Sequence, residues 1–401
     1  MTKPFEAVVA GHICLDIIPD LSRVASAGSF TALLRPGQLI EVGNAALSTG
    51  GPVSNTGLAL HILGVRTQLM GKVGDDYLGQ VVQQIVADHG PGLDAGMVVD
   101  GRVGTSYTVI LNPPRVDRIF LHAPAANHTF GADDVRYDVV AQARLFHFGY
   151  PPLMRRMYER DGEQLAEIFR RVRELGVTTS LDMAVPDPAS EAGRADWRAI
   201  LRKTLPYVDV FLPSIEEILF MVRRSTYDTL LAQAEGGSLL PFVTPALLSG
   251  VSGELLGMGA RIVGLKLGDR GFYVRTANAE ALAAMAAGSD GNAAPADPAG
   301  WADRELWTPC YRANLVGTTG AGDSTIAGFL VGLLRGLPAK QAVTMAVAVG
   351  GCNVEAADAL GGLRSWEQTV ARVEAGWAKH PMSLTAPGWR HDAEYDLWER
   401  A

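Results

Sequence analysis

Along most of its length the chain alternates apolar, β-branched runs of strand length with longer segments of helical period, and this rhythm constrains the fold more than any other feature. It begins with AVVAGHIC at 7–14 and VRTQLMGKVG at 65–74, which flank SNTGLALHILG. In the middle segment Leu58, Ala59, Ile62 and Leu63 share a face, Ser54 is placed to cap and Gly64 to stop, so a core-facing helix is predicted. Further on, RLFHFG (144–149) precedes a helical stretch near 161–175, VTTSLDM (177–183) precedes 197–204, and VDVFLPS (208–214) precedes IEEILFMV. Such alternation predicts a mostly parallel sheet covered by helices, with ligands gathering where the strands end.

Two stretches, about 17–49 and 101–125, depart from the rhythm. Alternating patterns such as TSYTVIL and DRIFLH predict antiparallel strands there, forming a lid over the carboxyl edge of the sheet. The segment 276–303 is so rich in Ala, Gly, Asp and Pro that it reads as a surface insertion without a packed role. The last residues, 376–401, carry Trp377, Trp389 and Trp398 among polar neighbours and read as a tail that docks on the body or on a partner subunit. The whole is expected to be one large domain of 401 residues, long enough to bury about three quarters of its unfolded surface without disulfide or metal staples.

Charge and cysteine usage narrow the function classes. With 35 basic and 43 acidic residues the formal charge is −8, which disfavours nucleic acid as a partner. Three cysteines, Cys14, Cys310 and Cys352, show no Cys-x-x-Cys spacing, pointing to a reducing compartment and away from a zinc site. The N-terminal apolar run is broken by Gly11, His12 and Asp16 and reads as a strand, not a signal peptide. No run approaches the roughly 18 apolar residues of a membrane span, so no membrane partner and a cytoplasmic location are expected.

Four motifs can carry chemistry. In NLVGTTGAGDSTIAGFLVGLLRG (314–336) a strand end passes through glycines into a helix, where the free amides of Gly320, Ala321, Gly322 and Asp323 and the positive helix end suit a phosphate. A carboxylate beside a phosphate costs electrostatic energy, so Asp323 reads either as a helix cap or as the base for a hydroxyl attacking a nucleotide's γ-phosphoryl group. In STGGPVSNTG, Gly50 and Gly51 permit a close backbone approach, and Asn55 offers both a donor and an acceptor to vicinal hydroxyls. Asp16, past the first strand, offers further acceptors; a local structural role for either residue is the alternative. In ARIVGLKLGDRGFYVR, Lys266, Gly268 and Gly271 either border a nucleotide or simply make a hairpin. In FLPSIEEI, Glu217 follows Ser214 by three residues, as in a capping box, and alternatively holds the waters of a nucleotide-bound magnesium.

In this order and spacing the motifs resemble the ribokinase-like (pfkB) carbohydrate kinase family, from Val8 to about Leu363. GGPVSN with GKVGDD is similar to the family's N-terminal signature, and GTTGAGDSTIAGF to its C-terminal one. The resemblance implies a ribokinase-like three-layer αβα fold with a mostly parallel central sheet and a small β-strand lid. It implies Asp323 as catalytic base with Gly320, Ala321 and Gly322 in the anion hole. Asp16, Gly50, Gly51, Asn55 and Asn127 would hold a small sugar-like acceptor; Lys266, Gly268, Gly271, Thr319 and Asn353 would contact ATP; and Glu217 would serve Mg2+. A homodimer through the lid strands is a further implication.

The departures are informative. Gly317 stands where many relatives have an aspartate for an activating monovalent cation, so that activation does not carry over. Ser214 replaces the usual asparagine of the magnesium element, and His12 with Cys14 makes ribose a poorer acceptor. A nucleoside kinase and a catalytically silent nucleotide- or sugar-binding sensor are the competing readings. A dinucleotide dehydrogenase is disfavoured, since no G-x-G-x-x-G follows the first strand. Arg102, Arg115 and Arg118 in the lid leave open an acceptor that already bears a phosphate, or are solvated surface charges.

Overall fold

Every residue of the run Ala7–Gly11 is buried, as a strand covered on both faces must be. In the computed structural model, which describes residues 3–22, 36–112, 118–286 and 291–400, this strand lies well inside a large sheet. In chain order the strands are β1 (Ala7–Gly11), β2 (Cys14–Pro19), β3 (Ala45–Gly50), β4 (Thr67–Met70), β5 (Lys72–Gly74), β6 (Val98–Asp100), β7 (Tyr107–Leu111), β8 (Ile119–Ala123), β9 (Leu145–Gly149), β10 (Thr178–Leu181), β11 (Val210–Phe211), β12 (Ile262–Lys266), β13 (Phe272–Thr276), β14 (Glu305–Thr308), β15 (Trp389–Asp392) and β16 (Leu397–Arg400).

Among the described residues the main sheet runs β4-β1-β9-β10-β11-β12-β13-β14-β16-β15. The first six strands are parallel and the last five pair antiparallel, β12 belonging to both halves. Helices cover both faces. One core unites the helices Pro52–Ile62, Ala321–Leu334 and Ala339–Asn353 around Leu58, Phe329 and Val343; the other gathers Phe146, Phe148, Phe169, Trp197 and Leu219 beneath Glu163–Glu174, Trp197–Thr204 and Ile215–Val222. This is the expected three-layer αβα architecture.

A second sheet, β3-β2-β7-β8, forms the lid from the two stretches that broke the rhythm, with β7 and β8 antiparallel as TSYTVIL and DRIFLH suggested. Parts of both lid segments, including Arg115, lie outside the described residues. No helix among the described residues is long and apolar enough to cross a membrane.

Two local expectations differ from the structure, and a third, the docking of the tail on the body, is met in a specific way. The helix after β3 starts at Pro52 with Gly51 as its cap, not at Ser54, because Pro at a first helical position suits the fixed φ of its ring; Ser54 instead bonds Thr49. The Ala-rich stretch after β13 is packed: it contributes helices Ala279–Ala286 and Pro298–Trp301, and Leu282, Met285 and Trp301 are buried in the first core. Its alanines hid a leucine and a methionine three apart on one helical face. The C-terminal tail adds β16 and β15 to the sheet edge beside β14, and Trp377 stacks on Tyr311 with ring centroids 4.5 Å apart.

Candidate active site

The parallel strands β9, β10 and β12 end side by side, and each delivers a polar residue to the same place. Tyr150 follows β9, Asp182 follows β10, and Lys266 ends β12. The helix Ala321–Leu334 aims its first turn at them. Gly320 caps that helix with φ +72, and a Cβ there would lie 2.7 Å from the Cβ of Ala359, so both conformation and space call for glycine.

Asp323, in this first turn, is 3% exposed. Asn55 donates to one carboxylate oxygen at 3.0 Å and Thr56 to the other at 3.1 Å, while the Tyr150 hydroxyl donates to both at 3.1 and 3.2 Å. Burial raises the Asp323 pKa above the ordinary aspartate value, and Lys266 and these three donors oppose the rise. The carboxylate is thereby held in a fixed orientation at the helix N-terminus.

Lys266 lies among three acidic groups. Its ammonium donates to Asp182 at 2.6 Å, and Glu217 and Asp323 complete the surroundings. Burial alone would lower Lys266, but the three carboxyl groups outweigh it and hold it up at about 12. Burial pushes Asp182 up to about 8, against the pull of Lys266, and raises Glu217 for the same reason. Three carboxyl groups around one cation leave the site short of positive charge. One oxygen of Asp182 has no hydrogen-bond partner among the described residues.

Glu217 forms the capping box with Ser214: its carboxylate accepts from the Ser214 amide at 2.6 Å, and the Ser214 hydroxyl accepts from the Glu217 amide at 3.2 Å. The cap and the cavity role are compatible, because the box fixes one carboxylate oxygen and Glu217 still lines the cavity. That cavity, of about 600 Å³, is also bordered by Lys266, Gly268, Gly271, Gly320, Ala321 and Gly322. Gly268 and Gly271 flank the turn of the β12–β13 hairpin, so both readings of that motif hold together. In the turn before Asp323 the Ala321 amide donates back to the Thr318 carbonyl at 3.2 Å, leaving Gly322 and Asp323 as the first-turn amides without a backbone partner.

Other predicted residues have different surroundings. Asn127 spends its whole amide on the backbone of Ile13, accepting from the nitrogen at 3.2 Å and donating to the oxygen at 2.8 Å, so it pins the lid to the β1–β2 turn. Asn353 donates to the Ala359 carbonyl and supports the loop packed against Gly320. Thr319 receives a hydrogen bond from Arg118 of the lid. Arg102 forms a bidentate pair with Asp100, away from this cluster. Asp16, on β2, lies against Gly50, and Asn55 keeps a buried carbonyl oxygen without a partner.

Sequence reasoning missed Asp182, Tyr150 and Thr56. The first two stand directly after strands β10 and β9, where the sheet topology gathers ligands, and that position was the available signal. Thr56 had none beyond its place next to Asn55.

Comparison with known proteins shows the family and the fold. The family model described as pfkB family carbohydrate kinase matches residues 6–365. The chain is 26% identical to the 2-dehydro-3-deoxygluconokinase of Bacillus subtilis over 363 residues, covering 86% of this chain and 92% of that protein. The fold matches that of Arabidopsis thaliana ribokinase complexed with ribose and ATP (TM-score 0.65, 18% identity, 92% of this chain and 98% of that one). It matches equally the fructokinase of Xylella fastidiosa with bound ATP (TM-score 0.65, 17% identity, 94% and 99%).

Proposed function

This chain belongs to the pfkB family of carbohydrate kinases and is a sugar kinase, and from that premise we propose that it transfers the γ-phosphoryl group of ATP to a hydroxyl of a small sugar or sugar acid, with Asp323 as the base. The observation that carries the proposal is the Asp323 carboxylate itself. It is buried at a helix N-terminus, held by three donors, and faces a cavity bordered by a lysine and by unpartnered amides.

The residues present fit the nucleotide and its metal. The partnerless oxygen of Asp182 and the half-buried Glu217 make a site that lacks positive charge, and Glu217 with Asp182 would hold Mg2+ through its waters. ATP supplies the phosphoryl group, and magnesium neutralises charge on its phosphates. Asp323 accepts the hydroxyl proton of the acceptor, which its raised pKa favours. The amides of Gly322 and Asp323 and the Lys266 ammonium face the charge that develops on the transferring group. Asn55 orients Asp323 through its donor and keeps its carbonyl oxygen for an acceptor hydroxyl. Asp16 supplies further acceptors on the lid side, and Gly268 and Gly271 leave room for the nucleotide. A Cβ at Gly317 would stand 2.8 Å from the Ala356 carbonyl oxygen, so no monovalent-cation ligand is proposed there.

Of the lid arginines, Arg102 is spent on Asp100, while Arg118 reaches Thr319 beside the nucleotide motif. Similarity to a 2-dehydro-3-deoxygluconokinase supports including acids. The test is ADP production from ATP and magnesium against neutral sugars, sugar acids and nucleosides. Turnover confined to sugars or sugar acids is the expected result, whereas turnover confined to nucleosides would overturn the acceptor class.

A further inference from the structure

His12, Cys14 and His122 come from three different segments, the β1–β2 turn, the start of β2 and the lid strand β8, and meet on the acceptor side of the site. One ligand atom from each lies within 4.8 Å of the other two. The two Nε2 atoms are 3.4 Å apart, longer than the usual N–H hydrogen bond, which runs to about 3.2 Å. Two imidazole nitrogens bound to one tetrahedral zinc at about 2.05 Å would be separated by about 3.3 Å. The pair is close enough for one long imidazole–imidazole hydrogen bond, and its spacing also fits two ligands sharing an ion.

The surroundings support the same reading. The Nδ1 of His122 is 3.0 Å from the Thr108 hydroxyl, a contact that fixes the ring and can leave Nε2 with its lone pair directed at His12. His12 is 2% exposed, and its only side-chain polar contact among the described residues is the long one from Nε2 to His122, its Nδ1 packing against Gly51. The Cys14 sulfur is 3.3 Å from Asp16 Oδ1. In a closed tetrahedron a sulfur would lie about 3.6 Å from each nitrogen, so Cys14 needs to move by at most about an ångström.

We propose that His12, His122 and Cys14 bind a single borderline transition-metal ion, Zn2+ by ligand type, with the fourth position open beside Asp16. Thiolate and imidazole suit zinc and not the hard cations magnesium and calcium, so this site is separate in chemistry as well as in place from the Glu217 carboxylate. As the metal–sulfur bond forms, the thiol proton leaves to solvent. Because Cys14 and His122 belong to the lid sheet and His12 to the turn at the end of β1 in the main sheet, the ion ties lid to body. This reading was not available from cysteine spacing, since the two histidines and the cysteine are brought together only by lid strands.

The test is titration of Co2+ into chelator-treated full-length protein, with excess Mg2+ present to occupy carboxylate sites. One equivalent is expected to bind with a thiolate-to-cobalt charge-transfer absorption and the visible bands of a four-coordinate site, and Zn2+ is expected to displace it. Cys14→Ser is expected to remove the charge-transfer band, His122→Ala to weaken binding at least about tenfold, and Glu217→Gln to leave both unchanged. Thermal melts of the metal-free variants identify any that fail to fold, and the surviving variant then decides. Absence of the charge-transfer band in the unmodified protein, its persistence in Cys14→Ser, or unchanged affinity in His122→Ala would overturn the proposal. None of these readouts involves phosphoryl transfer, so they stand apart from the kinase assays.

Discussion

Replacing Tyr150 by Phe should move the acid limb of the pH–rate profile by a calculable amount. Tyr150 donates one hydroxyl proton to the two oxygens of Asp323 at 3.1 and 3.2 Å, and this bond favours the ionised carboxylate. Both distances are long for O–H···O, so the bond belongs at the weak end of the range for charged acceptors, about 1.5 kcal/mol. At about 1.4 kcal/mol per pH unit, its loss raises the Asp323 pKa by about one unit. The base works only when ionised, so the acid limb of kcat/KM is expected to shift to higher pH by about one unit, with the alkaline plateau retained within about threefold. The Tyr150 hydroxyl itself stays protonated throughout, because burial and Asp323 push its pKa well up. The assay is coupled ADP release across pH for wild type and Tyr150→Phe. An acid limb that stays in place, or moves to lower pH, would refute the assignment of Tyr150 as a donor that tunes the base.

Other consequences can be checked separately. Glu217→Gln keeps an oxygen for the Ser214 cap but removes the charge, so the Mg2+ concentration for half-maximal activity should rise by about tenfold or more while the melting temperature changes little. Asp182 has a folded-state pKa raised to about 8 by burial, so the native protein binds a proton there that the unfolded chain has lost above about pH 4, and the resulting stability fades as pH rises toward 8. Asp182→Asn is free of this loss: its melting temperature relative to wild type should increase from pH 5 to pH 8.5, and a constant difference would contradict the buried charge. The lid presents half-exposed Leu47, Phe120 and Leu121, which suit pairing with a second copy. Light scattering should therefore report a dimer that Phe120→Glu dissociates, and a monomer at all concentrations would exclude the lid-to-lid arrangement.

What was legible in the sequence follows from which forces act locally. The βα rhythm was readable because buried strands such as AVVAG carry no charged residue, TTSL adding only small hydroxyl side chains to its leucine, and the lid because its strands alternate. The GTTGAGD turn showed itself through glycine, and the Ser214–Glu217 pair through its spacing. Tyr150 and Asp182 were not legible as site residues, since what makes them so is the adjacency of β9 and β10, a pairing across some thirty residues of chain. Asn127 and Asn353 carry contacts that no local pattern announces: Asn127 bonds the Ile13 backbone, and Asn353 donates to the Ala359 carbonyl while its own side-chain oxygen stays buried without a partner among the described residues. The packed helices after β13 were hidden by composition, because alanine-rich sequence resembles a linker until Leu282 and Met285 are seen to share a face.

The most direct test of the account is the single-turnover rate of Asp323→Asn beside wild type, with ATP affinity measured on the same preparations. Asparagine keeps the shape and the acceptor oxygen for Asn55, Thr56 or Tyr150 but cannot take a proton at neutral pH. The account predicts ATP binding within a few-fold of wild type and a rate of phosphoryl transfer lower by about a hundredfold or more. A transfer rate near that of wild type would contradict the assignment of Asp323 as the base.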